Sequence, residues 1–172
     1  MINVALLGFG RIGQMHAENI NKNKDLNFLI QYAKTSSNST SITSAKLFKM
    51  AENNPKIKIL KIYLDYADFR NTLKKIDIMP ILHNNEEINN GNPSTIYSSI
   101  THEIPMIIPH NLNYMKEVMV NNSYEIADNL DDVVSQTLKV ANDYNKYLNA
   151  AKISSKLLFK IFENDPLKKN IN

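Results

Sequence analysis

The sequence predicts an α/β domain with a doubly wound, mostly parallel sheet of about six strands, closed by helices at its C-terminal end. Short apolar segments alternate with helical patterns along most of the chain, which is typical of parallel sheets with helical crossovers. The first apolar segment runs directly into a turn that holds three of the four glycines, Gly8, Gly10 and Gly13. After the last predicted strand, only helical patterns follow.

Composition limits the size and the environment of this domain. The 172 residues suit one domain, expected over residues 1–165 with a frayed tail at 166–172. A content of 43% hydrophobic and 22% charged residues is typical of a globular protein. Because no signal peptide or membrane span is visible, we expect a cytoplasmic protein without a membrane partner.

Charge and cysteine content exclude several function classes. The net charge of +3 comes from scattered lysines, without the clustered basic footprint of nucleic-acid-binding proteins. The absence of cysteine excludes disulfides and thiolate metal sites, and the four histidines form no close metal pattern. We therefore expect a small-ligand site without a metal and without nucleic acid.

The predicted elements follow from apolar patterning and turn residues. Strands are expected where short apolar or alternating runs end at polar turns, and helices where apolar residues recur every three or four positions. Pro80 implies that the fourth strand ends at a sheet edge or bends away. Asn129 or Asp131 is expected to cap the helix that follows the last strand. The predicted strands are residues 3–7, 26–32, 56–64, 76–82, 105–109 and 124–127, and the predicted helices are residues 11–21, 42–53, 66–75, 94–102, 113–120, 132–142 and 144–163.

The glycine turn after the first strand predicts a phosphate-binding corner of the Rossmann-like type. Gly8 allows a tight turn, Gly10 leaves room for a pyrophosphate, and Gly13 lets the helix approach the sheet. The backbone N–H groups of Arg11 and Ile12 then point at the phosphates from the helix N-terminus. The predicted cofactor is NAD or NADP, bound by Gly8, Phe9, Gly10, Arg11, Ile12 and Gly13.

The end of the second strand bears on the choice between the two dinucleotides. NAD-binding folds often carry a carboxylate there for the adenosine ribose, whereas this chain has Lys34, Thr35 and Ser36. A lysine beside hydroxyls suits a 2′-phosphate, which slightly favours NADP. An ordinary polar loop is the alternative interpretation of these residues.

Two histidines follow predicted strands and are the candidate catalytic residues. His83 comes after the fourth strand and His110 after the fifth, so both are expected near the crevice at the carboxyl ends of the strands. An imidazole there can act as acid or base near neutral pH. Ordinary loop histidines are the alternative.

The N-terminal stretch Gly8-Phe9-Gly10-Arg11-Ile12-Gly13, continued by residues 16–19, resembles the glucose-fructose oxidoreductase/inositol dehydrogenase family of NAD(P)-dependent enzymes. The resemblance implies dinucleotide binding and hydride transfer to a sugar or polyol. The lysine motif that this family carries after a later strand is replaced here by Ile108-Pro109-His110. A dinucleotide-binding domain without a complete catalytic site is therefore expected.

Residues 77–162 resemble a second family, the nucleotide-sugar half of two-domain (GT-B) glycosyltransferases, through three segments. The resemblance implies that the turn after the fourth strand faces the donor diphosphate and that Ser98 takes the place of a ribose-binding glutamate. The segments are residues 77–80, 91–97 and 104–109, and the alternative site residues are Gly91, Asn92, Pro93, Ser94, Thr95 and Ser98.

Three functions therefore stay open at the level of sequence. The first is NAD(P) binding, with an oxidoreductase as the activity if there is one. The second is nucleotide-sugar binding in a glycosyltransferase. The third is a non-catalytic regulator or inhibitor that acts through protein partners. In the first two, a second chain or a homo-oligomer would supply the missing domain, and the ligand would be a nucleotide or a dinucleotide.

Overall fold

The computed structural model describes residues 2–7, 26–31, 45, 48–60, 64–81 and 94–164. Within these residues the strands are β1 (Ile2–Leu7), β2 (Leu26–Gln31), β3 (Ile57–Leu60), β4 (Met79–Pro80), β5 (Met106–Ile108) and β6 (Tyr124–Ile126). The α-helices are α1 (Tyr66–Leu73), α2 (Ser94–Thr101), α3 (Leu130–Asn142) and α4 (Tyr144–Glu163), with a 3-10 helix at His110–Glu117 and helical residues at 48–53. The α/β fold class is confirmed.

The strands form two three-stranded parallel sheets, ordered β1-β2-β3 and β4-β5-β6. A single parallel bridge between Val4 and Ile78 joins them, so that the strands lie side by side in the order β3-β2-β1-β4-β5-β6. This is the doubly wound order, in which the winding direction reverses between β1 and β4. The prediction of one continuous sheet of about six strands is corrected to two smaller sheets that meet at this bridge.

The position of Pro80 also differs from the prediction. We expected a sheet edge or a bend, but Pro80 lies buried in β4, between β1 and β5. Its neighbours make the bonds to β5: Met79 N donates to Pro105 O at 3.0 Å and Ile81 N donates to Ile107 O at 2.8 Å. The missing N–H of Pro80 therefore falls on the β1 side.

The core lies on both faces of the sheets because adjacent strand residues point in opposite directions. Val4 packs into a cluster with Ile30 and Ile78, which α3 and α4 cover through Val140 and Tyr147. On the other face, a second cluster combines the following group of strand and helix residues: Ala5, Met79, Met106, Ile108, Ile96, Ile100 and Leu158. Helices on both faces complete the three-layered arrangement that the alternating pattern predicted.

Local side chains fix where the helices begin and end. Asp65 Oδ1 accepts a bond from Asp68 N at 2.8 Å to cap α1. Of the two predicted caps of α3, Asn129 is the one used, because its Oδ1 accepts from Asp132 N at 2.9 Å. After α2, Glu103 adopts a positive φ of 60°, an unusual conformation for a residue with a Cβ.

The 3-10 helix begins three residues earlier than the predicted helix at 113–120, directly after β5. Leu112 N donates to Pro109 O at 3.0 Å, which closes the first turn. In the described part of the chain, no helix is long and apolar enough to span a membrane.

Candidate ligand-binding edge of the sheets

All six strands run in the same direction, so their carboxyl ends meet at one edge, which we call the carboxyl edge. Ligands of doubly wound folds bind in the crevice outside this edge, where the strand order reverses. Here the reversal lies between β1 and β4. The glycine turn follows β1, the loop with His83 follows β4, and His110 follows β5, so the predicted site residues belong to chain segments that leave this edge.

Many of the predicted site residues lie outside the described residues, so their geometry stays a prediction. They include the whole glycine motif, the candidate ribose contacts, one candidate catalytic histidine and the first three residues of the alternative nucleotide-sugar turn. They are Gly8, Phe9, Gly10, Arg11, Ile12, Gly13, Lys34, Thr35, Ser36, His83, Gly91, Asn92 and Pro93.

The described part of the alternative site is the N-terminal half of α2. Ser94 is the first residue of the helix and is exposed, Thr95 is half-buried, and Ile96 is fully buried against the second core cluster. Ser99 fixes the buried side further, since its Oγ donates to Thr95 O at 2.8 Å. The buried side of α2 is therefore held in place. Ser94 is exposed to solvent at the N-terminal end of the helix, where backbone N–H groups have no partner within the helix.

Ser98 lies one turn further along α2 and is half-buried. Its carbonyl oxygen contacts His102 twice, accepting from the backbone N at 3.2 Å and lying 2.9 Å from the ring Nδ1. These contacts use the backbone of Ser98 and hold the C-terminal turn of α2. The Ser98 side chain takes no part in them and is half-buried. A serine there offers a single hydroxyl where the glycosyltransferase resemblance implies a carboxylate.

His110 lies at the end of β5, as predicted, and is exposed. Its backbone N donates to Asp128 Oδ1 at 3.0 Å, which links the ends of β5 and β6. Sequence reasoning missed Asp128, although its position directly after a strand was a usable signal. The expected meeting of His110 with His83 lies outside the described residues.

A second residue that sequence reasoning missed is Asn111, beside His110. Its Oδ1 is buried and, within the described chain, accepts no hydrogen bond; the only other such side-chain atom found there is Gln136 Oε1. Buried polar atoms without partners are uncommon in folded proteins. Among the described residues, no group of three or more histidine, aspartate or glutamate side chains is placed to hold a metal ion.

In the described part of the chain, the groups with shifted pKa values are two tyrosines in the first turn of α4, one of which contacts Asp77 at the opposite, amino edge of the sheets. Burial, together with the charge and hydrogen bond of Asp77, raises the pKa of Tyr144 to about 12. Burial and the contact with Glu125 raise the pKa of Tyr147 above its usual value. Both tyrosines stay protonated at neutral pH and donate to carboxylates, so these shifts reflect structural contacts and not a catalytic centre.

With this geometry established, the fold can be compared with known proteins. No protein-family profile and no curated protein matches the sequence. Solved structures do match in fold. The C-terminal domain of a group 1 family glycosyl transferase (LpcC) from Francisella tularensis matches with a TM-score of 0.72 at 10% identity, covering 94% of this chain and 86% of that one.

Two longer proteins match equally well. Sucrose-phosphate synthase from Thermosynechococcus elongatus has a TM-score of 0.72 at 8% identity, with 98% of this chain and 43% of that chain covered. HepE from Anabaena, solved in complex with UDP and glucose, has a TM-score of 0.70 at 10% identity, with 99% and 48% covered. The chain thus spans less than half the length of these two proteins.

These matches correct the cofactor prediction. The prediction of NAD or NADP is wrong, because the structures that share the fold include a glycosyl transferase domain and a protein solved with UDP and glucose, and none of the three named above is a dehydrogenase. The dehydrogenase resemblance of the first residues is likewise unsupported. The physical reason is that a glycine turn at a helix N-terminus suits any diphosphate and carries no information about a nicotinamide. The second resemblance, to the nucleotide-sugar half of GT-B glycosyltransferases, is the one that the fold supports.

Proposed function

We propose that this chain is the nucleotide-sugar-binding half of a GT-B type glycosyltransferase. The observation that carries the proposal is the shared fold with HepE, a protein solved with UDP and glucose, over 99% of the present chain. The segment after β4 supports it, because it combines a Gly-Asn-Pro-Ser-Thr sequence with a helix that begins at Ser94. The ligand would be a nucleoside diphosphate joined to a sugar.

The chemistry of such a ligand matches what the carboxyl edge offers. A diphosphate carries negative charge, and the N-termini of α2 and of the segment after Gly8 would supply backbone N–H groups and positive dipole ends. During glycosyl transfer the diphosphate leaves with additional negative charge, so these donors would stabilise the transition state as well. We assign the diphosphate to Ser94 and Thr95 on one side and to Gly8–Gly13 on the other, with Ser98 as the ribose contact.

The proposal also gives a role in the reaction to His110. It follows β5, the strand beside β4, and its exposed imidazole is held near the carboxyl edge by the backbone contact to Asp128. There it would donate a hydrogen bond to the departing diphosphate or accept the proton of the acceptor hydroxyl. His83, after β4, is the alternative group for this proton.

The diphosphate assignment is tested by Ser94→Asp. A carboxylate in the first turn of α2 favours the helix dipole, so the free energy of unfolding should stay level or rise by about 0.3–1 kcal/mol. The same charge repels a diphosphate, so the affinity for UDP and UDP-glucose should fall roughly tenfold or more. A variant with unchanged or higher stability and lower affinity distinguishes a direct effect on the ligand from unfolding of the protein.

Titration calorimetry with UDP and UDP-glucose measures the binding, and NADPH serves as the negative ligand. Ser135→Asp is the matched control, because Ser135 is exposed in the middle of α3. Equal UDP affinity in Ser94→Asp and wild type would contradict the placement of the diphosphate. Failure of the wild-type chain to bind either uridine nucleotide would contradict the proposed function.

A further inference from the structure

The exposed apolar side chains of the described residues are concentrated on one helix. Six large hydrophobic side chains are exposed in this part of the chain, and five of them lie between residues 153 and 162 of α4. Single exposed apolar residues are common on protein surfaces, whereas a contiguous group indicates a surface that another molecule covers. This stretch of α4 is therefore the candidate interaction surface of the domain.

Three of these side chains form one line along the helix, which we call the apolar stripe. Ile153, Leu157 and Ile161 are spaced by four residues, so they lie on the same side of α4. They are 52%, 37% and 51% exposed. The apolar stripe borders the buried side of the helix, which includes Ser154 and Leu158. It therefore faces along the surface of the domain and not straight out from it.

A second line, which we call the lysine stripe, runs beside the first. Lys152, Lys156 and Lys160 each precede a member of the apolar stripe by one residue, which rotates them by about 100° around the helix axis, to the side opposite the buried residues. All three are exposed. The ion pair found among the described residues joins Lys139 to Glu125, and none involves the lysine stripe. The lysine stripe is therefore a line of positive charge without a carboxylate partner in the described chain.

The two stripes together specify the chemistry of the molecule that covers them. The single acidic residue of α4 is Glu163, at its C-terminal end, so the occupant must supply negative charge as well as apolar side chains. A second copy of the chain is disfavoured, because pairing α4 with itself brings two lysine stripes together. A flat anionic bilayer is disfavoured as well, because it would meet the lysine stripe and leave the apolar stripe at the side, whereas helices bind bilayers through their apolar face.

We propose that this surface of α4 is the docking site of an acidic amphipathic helix of another protein. A helix that lies alongside α4 covers the apolar stripe with its own apolar residues and pairs its flanking carboxylates with the lysine stripe, as charged residues flank the apolar seam of paired helices. The surface from Lys152 to Ile161 is about 15 Å long, which matches roughly three turns of such a helix. This docking does not depend on the proposed nucleotide-sugar site.

Two synthetic helical peptides test this proposal with the full chain. Both are about 20 residues long and carry leucine at every third and fourth position, and glutamate flanks the leucines in one peptide and lysine in the other. Fluorescence anisotropy should show binding of the acidic peptide with a Kd in the micromolar range, and roughly tenfold weaker binding of the basic peptide. Combined charge reversal, Lys152→Glu with Lys156→Glu and Lys160→Glu, should invert this preference, and binding of the basic peptide then shows that the variant is folded.

Two further variants separate the contributions of charge and of apolar contact. The matched control reverses three exposed lysines on other elements, Lys58, Lys74 and Lys75, which produces the same change of net charge. It should leave the affinity for the acidic peptide within about threefold of wild type. Ile153→Ser should weaken binding of the acidic peptide roughly three- to tenfold, with an unchanged urea midpoint of unfolding, because Ile153 is already half exposed.

Several results would overturn this assignment. Equal affinity of wild type for the two peptides, or unchanged affinity of the charge-reversed variant for the acidic peptide, would contradict an acidic partner. Sedimentation of wild type with phosphatidylglycerol vesicles but not with phosphatidylcholine vesicles, lost on charge reversal, would assign the surface to a bilayer instead. A dimer in sedimentation velocity that Ile153→Ser dissociates would assign it to a second copy.

Discussion

The two edges of the sheets differ in how firmly side chains tie them together. At the amino edge, Asp77 accepts three hydrogen bonds from two other elements: Asn3 N at 2.7 Å, Asn3 Nδ2 at 3.0 Å and Tyr144 OH at 3.2 Å. At the carboxyl edge, the described residues offer one comparable side-chain hydrogen bond between strand ends: His110 N donates to Asp128 Oδ1 at 3.0 Å. Among the described residues, the side-chain bonds that join separate elements are thus more numerous at the amino edge, away from the candidate site.

A second network strengthens the amino half of the fold. Glu125 in β6 accepts a hydrogen bond from the buried Tyr147 and pairs with Lys139 Nζ at 2.9 Å, so that β6, α3 and α4 meet at one carboxylate. With the ligand at the carboxyl edge, as proposed, stability and binding would be carried by separate residues. Substitutions at the amino edge should therefore change stability without changing affinity, and the reverse should hold at the carboxyl edge.

The largest expected effect is that of Asp77→Ala. It removes the acceptor of three hydrogen bonds and leaves Asn3 N and Tyr144 OH without their partner. The free energy of unfolding should fall by about 2–4 kcal/mol, because three hydrogen bonds are lost and the partly buried donors regain only part of their hydration. Urea unfolding followed by circular dichroism measures this difference.

Asp128→Ala is the matched control at the other edge. Asp128 is exposed and accepts one backbone bond there, so its loss should cost only about 0.5–1 kcal/mol. Equal losses of stability in the two alanine variants would remove the distinction between the edges.

Part of this architecture could be predicted from sequence. The strands were located correctly because each is a short apolar run between polar turns, and Asn129 was one of two proposed caps because capping is a local interaction. The Asp77 network could not be predicted, since Asp77 and Asn3 are 74 residues apart and meet only because β1 and β4 are neighbours. The order of strands is not a local property of the sequence.

Two of the predictions that needed correction have a common origin. Pro80 was expected at a sheet edge or a bend because strand prolines usually occur there, and NAD(P) was predicted because dinucleotides are usual ligands of a glycine turn. Each rule describes a frequent outcome and not a physical necessity. The interior strand β4 accommodates Pro80 because Met79 N and Ile81 N make the bonds to the β5 side, and a helix N-terminus binds a diphosphate whatever is attached to it.

The pH dependence of the free energy of unfolding tests the amino edge separately, with a smaller expected change than that of Asp77→Ala. The pKa of Tyr144 is raised from 10.0 to about 12, first by burial and then by Asp77. Because the pKa of Tyr144 is higher in the folded protein than in the unfolded chain, its protonated hydroxyl contributes fully to stability below pH 10. This contribution is lost as the pH rises from about 10 to 12. Tyr144→Phe should be less stable than wild type at pH 8 and should show a shallower loss of stability over that interval.

Urea unfolding at pH 8, 10 and 11.5 provides the measurement. Parallel curves for wild type and Tyr144→Phe would show that the Tyr144 contact with Asp77 does not contribute to the fastening of the amino edge.

The smallest effect concerns the turns that enter the strands at the amino edge. Glu103 and Asn122 have positive φ values of 60° and 66° in the turns before β5 and β6. The left-handed conformation costs a residue with a Cβ about 1–2 kcal/mol, whereas glycine adds roughly 0.4–1 kcal/mol of entropy to the unfolded chain. Glu103→Gly should therefore stabilise the fold by about 0.5–1 kcal/mol, and Asn122→Gly by close to nothing, since asparagine tolerates this conformation.

The turn at Glu103 supports this expectation because its hydrogen bonds match a helix end that favours glycine. Ile104 N donates to Ser99 O at 2.9 Å and Glu103 N to Ile100 O at 3.1 Å, the paired bonds of a Schellman motif. Glu117→Gly, at an exposed residue outside the positive-φ set, should instead destabilise the chain by about 0.5–1 kcal/mol. A stabilised Glu103→Gly variant with unchanged UDP affinity would show that backbone changes at the amino edge, like side-chain changes there, affect stability and not binding. A loss of affinity would show that the turn before β5 also positions the carboxyl edge.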